Sequence, residues 1–167
     1  MQDDFDTMGE QWQQQGVSDA LPALQLLGRF ARLNKQLEQA FLHCYRQQGL
    51  KQGEFDVLAT LHRAGPPYSL SPSQLHQSML LSSGAMSSRL EKLEQRQLIA
   101  RRHCTDDRRV VHVSLTEQGK ALIEQALPPH TELQQALVAP LSTQQQQQLN
   151  DLLKIWLAGL APTKIER

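Results

Sequence analysis

Residues 71–119, SPSQLHQSMLLSSGAMSSRLEKLEQRQLIARRHCTDDRRVVHVSLTEQG, change their hydrophobic period partway along. Ser71 suits a helix N-cap and Pro72 the first helical position, so Ser71-Pro72-Ser73-Gln74-Leu75 opens a short helix. Ser82-Ser83-Gly84 then starts a second helix, whose inward positions are Met86, Leu90 and Leu93. From Leu98 the period becomes two: Ile99 to Arg102 reads as one strand and Val110 to Leu115 as another, joined by the polar turn Thr105-Asp106-Asp107-Arg108. Thr116-Glu117-Gln118-Gly119 resembles an N-cap and first turn of a further helix. Two helices joined by a tight turn and followed by a hairpin make a winged helix-turn-helix.

Working outward, Leu24, Leu27, Ala31, Leu33, Leu37, Ala40, Phe41 and Cys44 form an apolar stripe on a helix over 20–47, which Gly49 ends. A helix over 51–63 buries Phe55, Leu58, Ala59 and Leu61 and stops at Gly65-Pro66-Pro67. The helix from Thr116 runs to about 137, with a break or kink expected at Pro128-Pro129. The last helix starts near Ser142 and carries Leu149, Leu152, Leu153, Trp156, Leu157 and Leu160. The fold class is mainly α with a small β hairpin. Residues 50–115 form the winged helix-turn-helix, 20–49 and 116–162 a flanking helical dimerisation region, and 1–19 an extension able to form a short helix. The two helical flanks carry more apolar surface than so small a module can cover, which points to a homodimer.

The 167 residues carry 17 Lys and Arg against 17 Asp and Glu, unevenly spread. The first 28 residues hold five acids and no Lys or Arg, while Arg96, Arg101, Arg102, Arg108 and Arg109 fall within fourteen residues opposed by Asp106 and Asp107 alone. A basic middle attached to a helix-turn-helix points to double-stranded DNA. Ser82, Ser83, Ser87 and Ser88 can donate or accept at bases and phosphates, Gly84 permits close backbone approach, and Ser71, Ser73 and Lys92 complete the helical contacts. Ser82 suits an N-cap equally well. Arg108 and Arg109 at the hairpin tip can enter a minor groove, with Asp107 holding a guanidinium in place.

No apolar run approaches a membrane span, and MQDDFDTMGEQWQQQ is no signal peptide, so a cytoplasmic location is expected. Cys44 and Cys104 have no metal-ligand spacing, and the six His residues are scattered, so neither cofactor, metal nor enzymatic activity is expected.

SPSQL, LSSGAMSSRLEKLEQRQLI and DRRVVHVSLTEQG together resemble the winged core of the MarR (multiple antibiotic resistance regulator) family. Asp107, Arg109, Leu115, Thr116 and Gly119 match its wing pattern, and the resemblance covers roughly residues 20–160. It implies a homodimer on a pseudo-palindromic operator, usually a repressor released by a small anion, a phenolic compound or an oxidant. GEFDVLATL and AGPPYSL resemble the urate-responsive branch. That likeness implies a pocket in which Trp12 stacks on the purine, Arg89 binds the anion and Asp56 repels it, moving the recognition helix. A different aromatic acid is an open alternative, as is redox sensing. Cys44 reads as a buried thiol, Cys104 lies beside Arg101, Arg102 and His103, and the branch's sensing Cys near the start of the first helix has no counterpart here. A winged helix that binds protein rather than DNA is the alternative outside the regulators.

Overall fold

The structure is a computed structural model that describes residues 2–79, 83–103 and 111–160, with the backbone alone at 83–85 and 103. Ser82, Cys104, Asp107, Arg108 and Arg109 therefore lie outside the described residues, and for Ser83 and Gly84 only the helical backbone is described.

Two compact units divide the chain, one over 1–130 and the other from 131 onward. The first begins with α1 (Asp4–Gln14), a full helix where the sequence suggested only a short one. Asp3 caps it by accepting from the Phe5 and Asp6 amides, while Asp6 returns the bond to the Asp3 amide. The helix is held on α2 (Leu21–Gln47) by a clasp. Arg29 reaches Asp3 at 2.8 Å and also pairs with Asp6, Arg32 pairs with Asp4 at 3.0 Å, and the Arg32 guanidinium lies 4.4 Å from the Phe5 ring centre. Phe5 packs so closely on Gly28 that a Cβ there would stand 2.5 Å from its ring. Arg29 pulls the Asp3 carboxyl down to about 2, aided by the two amides.

Helix α2 ends as the sequence predicted, with Gly49 at positive φ and the Leu50 amide donating back to the Tyr45 carbonyl. Helix α3 (Gln52–Arg63) follows, then β1 (Ser69–Leu70), α4 (Pro72–Met79), α5 (Ser83–Gln95), β2 (Ile99–His103), β3 (Val111–Leu115) and α6 (Glu117–Val138). The expected hairpin is part of a three-stranded antiparallel sheet in the order β1-β3-β2. Ser69 faces Ser114 across it, and Ile99 faces Leu115. The two residues of β1 are too few to show a period, which is why the third strand escaped the pattern. Leu58, Leu61, Leu75, Leu93, Val113 and Ile123 are fully buried at its centre, and Met86 and Leu90 join them as predicted.

Helix α6 continues through Pro128 and Pro129, where a break or kink was expected. Proline removes its own amide and crowds the carbonyl four residues earlier. The burial of Ile123 and Ala126 just upstream anchors the helix and offsets that loss. In the second unit, α7 (Thr143–Gly159) is capped by Ser142, and the Gln146 side chain donates to the Val138 and Leu141 carbonyls.

The junction of α5, β2 and α6 turns on Leu98. Gln97 adopts φ 58°, and the Leu98 amide donates to the Leu93 carbonyl, closing α5. The Leu98 carbonyl accepts the Thr116 amide at 3.2 Å. Thr116 Oγ1 donates to the Gln97 carbonyl at 2.6 Å and accepts the Gly119 amide at 3.0 Å, capping α6 as its sequence suggested. A Cβ on Gly119 would stand 1.9 Å from the Leu98 oxygen. Gly119→Ala should therefore cost about 1–3 kcal/mol by forcing backbone apart, seen as an early transition in thermal melting monitored by circular dichroism.

The α1 clasp gives a second expectation. The Asp3 carboxylate is lowered in the folded state, so its contribution is complete above the ordinary value of 3.8 and is lost as pH falls through about 2. In a Trp156→Phe background, Trp12 fluorescence should report α1 release over this acid range. Arg29→Met should abolish that transition by leaving α1 loose already at neutral pH.

Candidate nucleic-acid interface and the Asp56–Arg89 pair

Helix α5 buries one side and exposes another. Met86, Leu90 and Leu93 face the core, whereas Ser87 and Ser88, near the helix start, are exposed. Ser73 on α4 is exposed too, and Ser71 is half-buried because it caps α4: its Oγ accepts the Gln74 amide while its own amide donates to Gln74 Oε1. A groove of about 500 Å³ between α4, α5 and the sheet brings Ser73 and Ser87 together with His76, Gln77 and Arg101. The sequence did not single out these last three as groove-lining, since nothing in the helical or strand pattern separates a groove-lining polar residue from a solvated one. Arg101 is held there by Glu94, to which its Nε donates at 2.7 Å. This pairing pulls the Glu94 carboxyl below its usual range. Lys92 is not with the serines. It sits toward the other end of α5, on a cavity with Arg46, Lys51 and Arg96.

Of the three residues expected in a ligand pocket, Asp56 and Arg89 lie near enough for the Arg89 charge to act on Asp56, with no hydrogen bond or ion pair between them among the described residues. Arg89, from α5, lies across the first turn of α3, so close that a Cβ on Gly53 would meet its Nε at 2.3 Å and its Cζ at 2.4 Å. Glycine at 53 makes that approach possible, and its place three residues before Asp56 puts both on one side of α3. Arg89 Nη1 is buried and has no hydrogen-bond partner among the described residues. Asp56 is the nearby carboxylate. Burial pushes its pKa up, and the Arg89 charge pulls it part of the way back. Asp56 also lines a cavity of about 470 Å³ with Ala59, Thr60, Arg63, Ser78 and Leu127.

Trp12 does not join them. It is 43 % exposed on α1, and among the described residues no ring contact or hydrogen bond ties it to Asp56 or Arg89. Cys44 is buried, and burial raises its thiol pKa, which suppresses the reactive thiolate. No three His, Cys, Asp or Glu residues among those described are grouped to hold a metal ion, and no described helix is long and apolar enough to cross a membrane.

Comparison with known proteins places this geometry among regulators. The MarR family model matches residues 50–111. The chain is 31% identical over 144 residues to the HTH-type transcriptional regulator PecS of Dickeya dadantii, covering 86% of this chain and 87% of that one. The transcriptional repressor MprA of Escherichia coli K12 is 34% identical over 69% of this chain and 65% of its own. Among solved structures, a mutant MarR from Escherichia coli in complex with operator DNA superposes with a TM-score of 0.72 at 25% identity, covering 84% of this chain and 99% of that one. A probable transcriptional regulator from Pseudomonas aeruginosa gives 0.66 at 28% identity, over 76% and 92%.

Because Arg89 is the charge that holds the Asp56 pKa down, Arg89→Leu should raise it further. Carboxyl-carbon NMR titration of Asp56 in the two proteins checks this; an unchanged or lowered midpoint in the variant would show that the two charges do not interact.

Proposed function

The chain belongs to the MarR family of transcriptional regulators, and we propose that it is a ligand-releasable repressor binding a pseudo-palindromic operator as a homodimer in the cytoplasm. The observation that carries the DNA-binding reading is the division of α5 into a buried Met86, Leu90 and Leu93 side and an exposed Ser87 and Ser88 side at its leading end. A helix held in this way presents small polar groups to a major groove, where the early residues of a recognition helix meet bases and phosphates. Ser82, Ser83, Gly84 and Ser73 extend that contact. Arg108 and Arg109 supply a minor-groove contact, with Asp107 orienting a guanidinium. The relatives are transcriptional regulators rather than enzymes.

Uncovered apolar surface supports the dimer. On α2, Leu26, Leu27, Phe30 and Leu33 are each about half exposed in the single chain. On α7, no residue is buried, and Ile155 and Leu157 are 71% and 69% exposed. Covering such faces with a second copy is the ordinary remedy, and it places two recognition helices about 34 Å apart.

Arg89 and Asp56 support an anionic effector. A buried guanidinium nitrogen without an acceptor costs free energy that an anion would recover. The same anion would face Asp56, so its binding alters the balance between α3 and α5 and favours one position of the recognition helix. Urate or another aromatic anion fits this chemistry at Arg89 and Asp56, and the expected stacking by Trp12 has no support within the single chain. Burial of Cys44 weighs against a redox switch at that residue.

Fluorescence anisotropy on DNA from upstream of the chain's own gene, at two salt concentrations and with or without urate, tests the reading. Wild-type binding should be salt-sensitive, and Arg108→Ala and Arg109→Ala should each lower the slope of log affinity against log salt by about 1, one phosphate fewer being neutralised. Urate should release the wild type but not Arg89→Leu. Binding that ignores urate would discard this ligand, and no preference over random duplex would favour a protein partner.

A further inference from the structure

We propose that the cavity bounded by α2, the head of α3 and the last turn of α5 binds an organic phosphate carrying at least two negative charges. The cavity has a volume of about 670 Å³ and is separate from the Asp56–Arg89 pair. Four cations line it, Arg46 from α2, Lys51 before α3, and Lys92 and Arg96 at the end of α5, around the single carboxylate of Glu54. Its size lies within the roughly 300–1,000 Å³ of small-molecule sites.

Glu54 does not balance this charge, because its own bonds are already committed. It is 6% exposed, accepts the Lys51 amide at 3.0 Å and pairs with Arg96 Nη1 at 2.9 Å. Arg96 Nη2 donates in turn to the Gly49 carbonyl at 3.0 Å, so this guanidinium is fixed as part of the wall. Arg46, Lys51 and Lys92 form no ion pair among the described residues, and all three are exposed. In a chain with equal numbers of acids and bases, three uncompensated cations around one concavity are not a by-product of composition.

Charge number selects the ligand class. A monocarboxylate would match one cation and leave the others facing each other, whereas a phosphate ester or diphosphate spreads two or three charges over many acceptor oxygens. Arginine meets such oxygens with a planar fork and lysine as a mobile point charge. Leu42 and Leu50 supply the apolar part of the lining for the organic part. The walls come from three elements, so an occupant would tie the rear of α5 to the α2–α3 corner. The exposed serines stand toward the other end of the same helix, about 20 Å long for thirteen residues at 1.5 Å each.

Isothermal titration calorimetry of the full chain at low salt, with adenosine diphosphate, inorganic pyrophosphate and benzoate as probes, tests the site. Adenosine diphosphate should bind once per chain, more tightly than pyrophosphate and at least about tenfold more tightly than benzoate. Arg46→Ala/Lys51→Ala, which alters exposed side chains alone, should keep its circular-dichroism melt and lose about tenfold in affinity. Absence of binding, equal affinity for benzoate, or unchanged affinity in the double variant would overturn the proposal. Pyrophosphate binding as tightly as the nucleotide would remove the organic part. None of these outcomes depends on urate or on Arg89, so the two ligand readings fail independently.

Discussion

The Leu98 carbonyl is the point on which the reading end of the protein depends. It accepts the first amide of the segment that becomes α6, and Gly119 lies against it where any side chain would collide. The Leu98 amide has already closed α5 by donating to Leu93. A single residue therefore sets where the recognition helix stops, where β2 starts and how α6 crosses both. The Leu-Thr-x-x-Gly pattern is the record of this constraint. Leu115 ends the strand opposite Ile99, Thr116 caps the helix and bonds the Gln97 carbonyl, and Gly119 allows the approach.

Two charged pairings at the α3–α5 boundary differ in kind. Arg96 and Glu54 form a closed pair, with the carboxylate buried and bonded on both sides. Arg89 lies two turns earlier on α5, and its carboxylate neighbour Asp56 is one residue past Phe55 on α3, yet no hydrogen bond joins the pair among the described residues. A bonded buried pair resists separation, because parting it strands a charge. An unbonded one has little to lose. The Glu54–Arg96 contact thus resists separation, and the Asp56–Arg89 approach adds no such bond.

Much of this was legible from residue pattern. Gly49 as a helix terminator, Ser71 and Thr116 as caps, and Met86, Leu90 and Leu93 as the inward side of α5 follow from rules that act within one turn of chain. What escaped depends on residues far apart. Asp3 and Arg29 stand 26 positions apart, so the clasp that makes α1 a docked helix has no local signature. Gly53 reads as a poor helix residue until Arg89 is seen lying across it. Pro128 and Pro129 read as a break or kink, and the helix runs on without a break, because local rules count the missing amides and cannot count the burial of Ile123 and Ala126. Asp56 and Arg89 interact through charge alone, and Trp12 stands apart on α1.

Charge shows the same dependence on folding. A net charge of zero suggests a surface with no preference for anions, but the acids at the start of the chain are not available to the basic middle. Asp3, Asp4 and Asp6 are taken up by Arg29 and Arg32 within the α1–α2 clasp, and Glu94 by Arg101. Besides holding α1 on α2 through the clasp, these partly exposed pairs decide which charges are left over. Once the acids are matched to those partners, Arg46, Lys51 and Lys92 stand around one cavity without an ion pair among the described residues, and Arg89 retains a buried nitrogen without an acceptor among them. The fold thus divides a neutral chain into neutralised and cationic regions, and the cationic ones border the helix that the DNA-binding proposal depends on.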